Sequence, residues 1–297
     1  SVMNEILSTQ LNHSHRVSPG FERASRSYDD YAVLQRKVAD EMLERLRDVT
    51  ISPALVIDVG CGTGYCTRRL HGIWSKAKIL GIDLAAGMVQ QAKGQKGWFS
   101  KQSYCQADTA FLPLKEAAVD VVFSNLMLQW CDPTAVFAEF RRVLNKDGLL
   151  MFSSFGPDTL KELRQAWAAI DDRPHVIDFA DMHDHGDALL QAGFREPVMD
   201  VDRFTLTYSD VLGLLRDLHG IGSRNIMSGR RSGLMGRDAL RRLDQAYRQV
   251  ADNEGRLPAS YEVVYGHAWS GGKVTGADIS STMNAQVDLL RPLKSDL

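Results

Sequence analysis

Residues 56–64 read VIDVGCGTG, a strand-length apolar run carrying Asp58 and then Gly60, Gly62 and Gly64 within five positions. Glycines at that spacing predict a tight strand-to-helix turn, because a residue without a Cβ tolerates left-handed backbone and lets a ligand approach the main chain. The rest of the first half alternates in the same way. Strand-like runs at 54–59, 77–83, 103–108, 119–125 and 149–155 are separated by helical patterns near 65–73, 86–93 and 133–144. Continuous apolar strands divided by helices imply a parallel sheet covered on both faces, so the predicted fold is a doubly wound α/β core.

An amphipathic helix at 31–49 precedes this core. After it come helices near 157–170 and 184–192, a strand pair near 197–207, a helical block at 209–252 and an aromatic strand at 261–269. The insertion before the last strand is too long for a turn and is expected to cap the carboxyl edge of the sheet. The predicted organisation is an N-terminal tail and covering helices at 1–52, a ligand-binding α/β core at 53–208, a helical cap at 209–257, the last core strand at 258–270 and a C-terminal tail at 271–297.

A net charge of −2 gives no global basic field, which argues against nucleic acid as a partner. The longest apolar runs are strand-sized and the first twenty residues lack a signal-peptide core, so no membrane partner and a soluble, cytoplasmic protein are expected. Cys61, Cys66, Cys105 and Cys131 contain no CxxC pair and are expected to be reduced.

The glycine spacing departs from a dinucleotide fingerprint, since Tyr65 stands where a third glycine would fall in G-x-G-x-x-G. Asp58 before the turn disfavours a pyrophosphate and suits an ammonium group. Asp83 closes the second strand, where an acid can take both hydroxyls of a ribose, and Asp108 closes the third, followed by Thr109. Three strand-end acids with no Lys or Arg in the glycine turn describe a pocket for a cationic nucleoside such as S-adenosyl-L-methionine.

DVGCGTG at 58–64, GIDLAAGMV at 81–89, ADTAFLPL at 107–114 and VDVVFSNLMLQW at 119–130 together resemble the class I S-adenosylmethionine-dependent methyltransferases. The resemblance implies a seven-stranded, mostly parallel, Rossmann-like sheet. It implies a cofactor site built from Asp58, Gly60, Cys61, Gly62, Gly64, Asp83, Leu84, Met88, Asp108, Thr109 and Asn125. FERASRSYDDYAVLQ at 21–35, LQW at 128–130, FGPDTLKELRQAW at 155–167 and RDLHGIGSRN at 216–225 are similar to the malonyl-acyl-carrier-protein O-methyltransferases of biotin synthesis. That similarity implies methylation of the free carboxylate of a malonyl thioester, on an acyl carrier protein or coenzyme A, with S-adenosyl-L-homocysteine as by-product. Tyr28, Trp130 and Phe155 are expected as aromatic walls, and Arg216 and His219 as the grip on the carboxylate, with Tyr28 and His219 closest to the chemistry.

DTLKELR, LLQAGF and PASYEVVY also resemble an assembly factor of respiratory complex I to which arginine hydroxylation is assigned, and a carboxyl methyltransferase acting on a small free acid is a further alternative. The arginines at 216, 224, 230, 231, 237, 241, 242 and 248 make the insertion basic, which fits either an acidic carrier protein or a solvated helix face. No metal is expected. Asp181-Met-His-Asp-His-Gly-Asp187 offers His183 and His185 among acids, but at a spacing that sets no coordination shell, and Asp184 is expected to cap the following helix.

Overall fold

The computed structural model describes residues 33–97, 100–218 and 237–271, with backbone alone at 219–220. In chain order the elements are α1 (Val33–Arg47), β1 (Leu55–Val59), α2 (Tyr65–Ile73), β2 (Lys78–Asp83), α3 (Ala86–Gly94), β3 (Gln102–Gln106), β4 (Val119–Ser124), a 3₁₀ turn (Leu128–Trp130) and α4 (Pro133–Val143). Then follow β5 (Leu144–Phe155), α5 (Lys161–Ala168), α6 (Met182–Gln191), β6 (Arg195–Tyr208), α7 (Val211–Gly220), α8 (Arg237–Tyr247) and β7 (Leu257–Trp269).

The strands form one seven-stranded sheet in the order β3-β2-β1-β4-β5-β7-β6. β1 to β5 run parallel, while β7 is antiparallel to both β5 and β6. The doubly wound, mostly parallel architecture expected from the sequence is the one observed. Its period-2 side chains build two cores. Val56, Ile79, Val121, Phe123 and Met151 pack under α1, α2, α5, α7 and α8, whereas Ile57, Val59, Val122, Leu150 and Phe152 pack under α4 and α6. α4 starts where Asp132 accepts the Thr134 N–H and Pro133 occupies the first turn.

Three expectations change. The strand pair near 197–207 is one long strand, β6, interrupted only by a bulge between Arg195 and Val198 at Pro197. The last strand starts at Leu257 rather than 261. Pro258 fits there because the β5 ladder reaches only Val263, so the side of Leu257 to Glu262 away from β6 is met by side chains and by the 156–162 turn, and Pro258 has only to offer its carbonyl, to the Tyr247 hydroxyl (2.7 Å). The helix placed at 157–170 begins only at Lys161, because the preceding turn is held by Gly156 N–H to the Glu262 carbonyl (2.8 Å) and Asp158 N–H to Glu262 Oε2 (2.8 Å).

β6 ends and β7 begins at the edge where the parallel strands finish, so the insertion between them rises from the carboxyl edge of the sheet. The helix placed at 31–49 is described from Val33, and residues 1–32, with Tyr28, lie outside the described residues.

Candidate active site

The glycine turn closes β1 onto α2 with all three glycines left-handed, at φ +76° for Gly60, +53° for Gly62 and +84° for Gly64. Its amides are largely spent within the chain. Gly60 and Cys61 N–H both donate to the Ile82 carbonyl (2.8 and 3.0 Å), Gly62 N–H donates to Asp83 Oδ2 (2.9 Å) and Gly64 N–H to the Cys61 carbonyl (2.9 Å). A loop whose amides are occupied is not an anion cradle, which separates this turn physically from a pyrophosphate-binding one.

The acids behave differently from one another. Asp83 accepts Gly62 N–H on one oxygen and Ala85 N–H on the other (both 2.9 Å), so its carboxylate ties the glycine turn to the loop after β2 in a fixed orientation. Asp58 is 1% exposed and accepts the Thr67 hydroxyl at 2.6 Å. Burial, reinforced by the charge of Asp83 and opposed by Thr67, pushes its carboxyl up to about 7. It therefore lies buried beneath the loop. Asp108 turns the chain after β3 by accepting Ala110 N–H at 2.9 Å. Leu84 is tied to β3 through its carbonyl, which accepts Gln106 Nε2 at 2.9 Å, and Met88 is buried on α3.

Two residues that the sequence reading missed explain the glycines. A Cβ on Gly60 would lie 2.5 Å from Met127 Cγ, and one on Gly64 would lie 2.7 Å from the Tyr104 hydroxyl oxygen. Met127 also receives the Thr109 hydroxyl at its sulfur (3.8 Å) and lies 3.4 Å from Cys131 Sγ, so it ties the adjacent loops together. Tyr104 covers Gly64 and Gly81 from β3, and its only advance signal was an aromatic residue within a polar strand. Cys61 is a buried filler whose thiol is pushed well up by burial and then by Asp83 and Asp58, opposite to what a nucleophile needs.

On the acceptor side, Trp130 is buried in the 3₁₀ turn after β4. Phe155 corrects an expectation. At 1% exposure, with the rings of Phe179 and Tyr261 at 5.9 and 5.6 Å, it is a core residue supporting the edge and not a wall facing a ligand. Arg216 projects exposed from α7, the side chain of His219 lies outside the described residues, and Tyr28 does too. Asn125 stands directly after β4 as expected, and its amide joins α1 to β5 through the Gln35 carbonyl and Ser153.

The basic insertion is partly neutralised where it is described. Arg241 and Arg242 pair with Asp238 and Arg248 with Asp244, while Arg224, Arg230 and Arg231 lie outside the described residues. In the histidine cluster Asp181, not Asp184, is the cap of α6. Asp181 accepts His183 and Asp184 N–H (both 2.8 Å), and Asp184 returns the bond to Asp181 N–H (3.0 Å). His185 turns inward against Phe137 and Phe152, both ring nitrogens lack partners among the described residues, and burial pushes its pKa down to about 4. His185→Leu is expected to stabilise the chain by about 1–2 kcal/mol near pH 8 in denaturant melts. The depressed histidine also makes the parent lose stability as pH falls from 6.5 through about 4, a loss that the variant should not show.

The spent amides, the left-handed glycines and the Asp83 carboxylate at the end of β2 fit a cationic nucleoside. Residues 57–152 match the family model described as a methyltransferase domain. The YcgJ protein of Bacillus subtilis superposes with a TM-score of 0.59 at 12% identity, covering 80% of this chain and all of that one, which shows a shared fold. The chain is 50% identical over 256 residues to the malonyl-(acyl-carrier protein) O-methyltransferase of Gallionella capsiferriformans, covering 84% of this chain and 88% of that one. It is 49% identical over 263 residues to the enzyme of the same name from Laribacter hongkongensis, covering 86% and 88%. On this likeness, the chain belongs to the malonyl-acyl-carrier-protein O-methyltransferase family of S-adenosylmethionine-dependent enzymes.

Proposed function

We propose that this chain methylates the free carboxylate of a malonyl thioester, carried on an acyl carrier protein or on coenzyme A, in the cytoplasm and in the early pimeloyl branch of biotin synthesis. The observation that carries the reading is the 50% identity to a relative of that name over 84% of this chain. Among the described residues no helix is long and apolar enough to cross a membrane.

When bound, S-adenosyl-L-methionine supplies an electrophilic methyl group on a positive sulfur. Asp83, at the end of β2, would take the ribose hydroxyls, and the loop at Gly60–Gly64 would seat the methionyl portion against the charge of Asp58. Leu84 and Met88 would border the ribose, and Asp108 and Thr109 the adenine. The acceptor carboxylate is already ionised at neutral pH, so the chain needs no general base. Its task is alignment and exclusion of water. Trp130 and Tyr28 would wall the acceptor, while Arg216 and His219, both on α7 at the carboxyl edge, would hold its charge. We also propose that segment 209–257 caps the core at 53–208, with residues 1–52 covering the site.

Incubation with methyl-labelled cofactor and either malonyl-carrier protein or malonyl-coenzyme A should yield an alkali-labile methyl ester on one of them. Label on neither, in protein that binds the cofactor, would remove the malonyl assignment. Alkali-stable label on arginine or another nitrogen would point elsewhere.

A further inference from the structure

The carboxyl end of β4 offers more hydrogen-bond acceptors than the chain itself uses. Asn125 is spent on both sides, its Nδ2 donating to the Gln35 main-chain carbonyl (3.1 Å) and its Oδ1 accepting the Ser153 hydroxyl (2.9 Å). The next residue, Leu126, is held left-handed at φ +48°, with its N–H on Ser153 Oγ (3.0 Å) and its carbonyl accepting Gln129 Nε2 (2.6 Å). That last bond fixes the orientation of the Gln129 amide, since only its nitrogen can donate to a carbonyl.

Among the described residues Gln129 Oε1 is then a buried acceptor without a partner. Gln35 Oε1 is a second, carried by the residue whose main-chain carbonyl the Asn125 bond holds to the same strand end. A buried acceptor left unpaired is costly, and a left-handed leucine beside it adds strain of the kind that clusters at ligand sites. Neither oxygen suits the acceptor carboxylate, which has no proton to give. Both suit N–H donors.

We propose that Gln129 and Gln35 receive N–H groups of bound ligand at the end of β4, a reading that rests on the proposed methyl transfer. Two sources share this chemistry, the α-ammonium of the methyl donor and the amide of the arm that carries the malonyl thioester. Gln129 is the stronger of the two positions because its orientation is fixed by Leu126 and it adjoins Trp130 on the same short turn. Asn125, whose amide is used to join α1 to β5, is a positioning residue for both glutamines.

The test uses Gln129→Met and Gln35→Met in the full chain, with melting curves as controls. Gln35→Met keeps the Asn125 bond, which uses the main chain. S-adenosylhomocysteine binding about tenfold weaker, with unchanged affinity for 5′-methylthioadenosine, which lacks the amino-acid portion, identifies the ammonium as the donor. Unchanged cofactor affinity with an about tenfold higher KM for malonyl-coenzyme A, and no change for a malonyl thioester of a plain alkyl thiol, identifies the arm amide. Parent-like binding and KM in both folded variants would overturn the proposal. Failure of the wild-type chain to form any methyl ester would overturn the proposed function instead, while the homocysteine measurement would still read the glutamine pair.

Discussion

Replacing Gly60 by alanine is expected to destabilise the chain by about 2–5 kcal/mol and to abolish measurable cofactor binding at physiological concentrations. Two costs add. A left-handed alanine costs about 1–2 kcal/mol, and forcing a methyl into a packed contact costs about 1–3 kcal/mol more. The contact is severe, because the new Cβ would lie 2.5 Å from Met127 Cγ and 2.7 Å from Met127 Cβ, and Met127 is itself held between Thr109 and Cys131. The loop must shift, and with it the Gly62 amide that Asp83 holds. Met127→Gly in the same chain removes both clashing atoms and should recover the steric part and leave the backbone part, which separates the two in a double-mutant cycle. Gly94→Ala is the control, since nothing lies within 4 Å of a Cβ there. Thermal melts and calorimetric titration with S-adenosylhomocysteine check the set, and a Gly60→Ala chain that melts and binds like the parent would contradict the role given to Met127.

Cofactor affinity is expected to fall steeply as pH drops below 7. Burial raises Asp58 to about 7 from the ordinary 3.8, so in the free protein it carries a proton over much of the weakly acidic range. A cationic ligand above the glycine turn favours the ionised form, so binding releases that proton and affinity weakens toward about tenfold per pH unit below 7. The same shift sets the stability of the free chain. A carboxyl raised on folding contributes most below pH 3.8, and that contribution is lost as pH rises through about 7. Asp58→Asn, which keeps an acceptor for Thr67 but no charge, should bind weakly at every pH with a flat profile and should remove that loss of stability. Titrations in buffers of differing ionisation enthalpy count the proton directly. Affinity independent of pH from about 5.5 to 8 in the parent would sink this coupling.

Much of the core was legible because a parallel strand buried on both faces is an unbroken apolar run, as in residues 119–124, and because glycines after such a run have few other uses. The acids at 58, 83 and 108 were read as site residues from their place at or near strand ends. What they do was not legible, since the burial of Asp58 and the two amides on Asp83 depend on how α2 and the loop after β2 pack. Met127 carried no local signal and Tyr104 only that of an aromatic residue in a polar strand, because their roles are to fill space over glycines distant in sequence. The cap of α6 went to Asp184 in place of Asp181, since either acid can open that helix and only geometry distinguishes cap from third residue. Phe155 was taken for a wall on position alone, and the two rings packed on it come from segments far along the chain.

Catalysis by alignment of an ionised carboxylate against a cationic donor is tested most directly by kcat against pH with both substrates saturating. The predicted profile is flat from about pH 6 to about pH 9, with the titration near 7 confined to kcat/KM for the donor. A kcat that climbs through an ionisation in that range and is lost when one side chain is replaced would reveal a general base, and would contradict the mechanism.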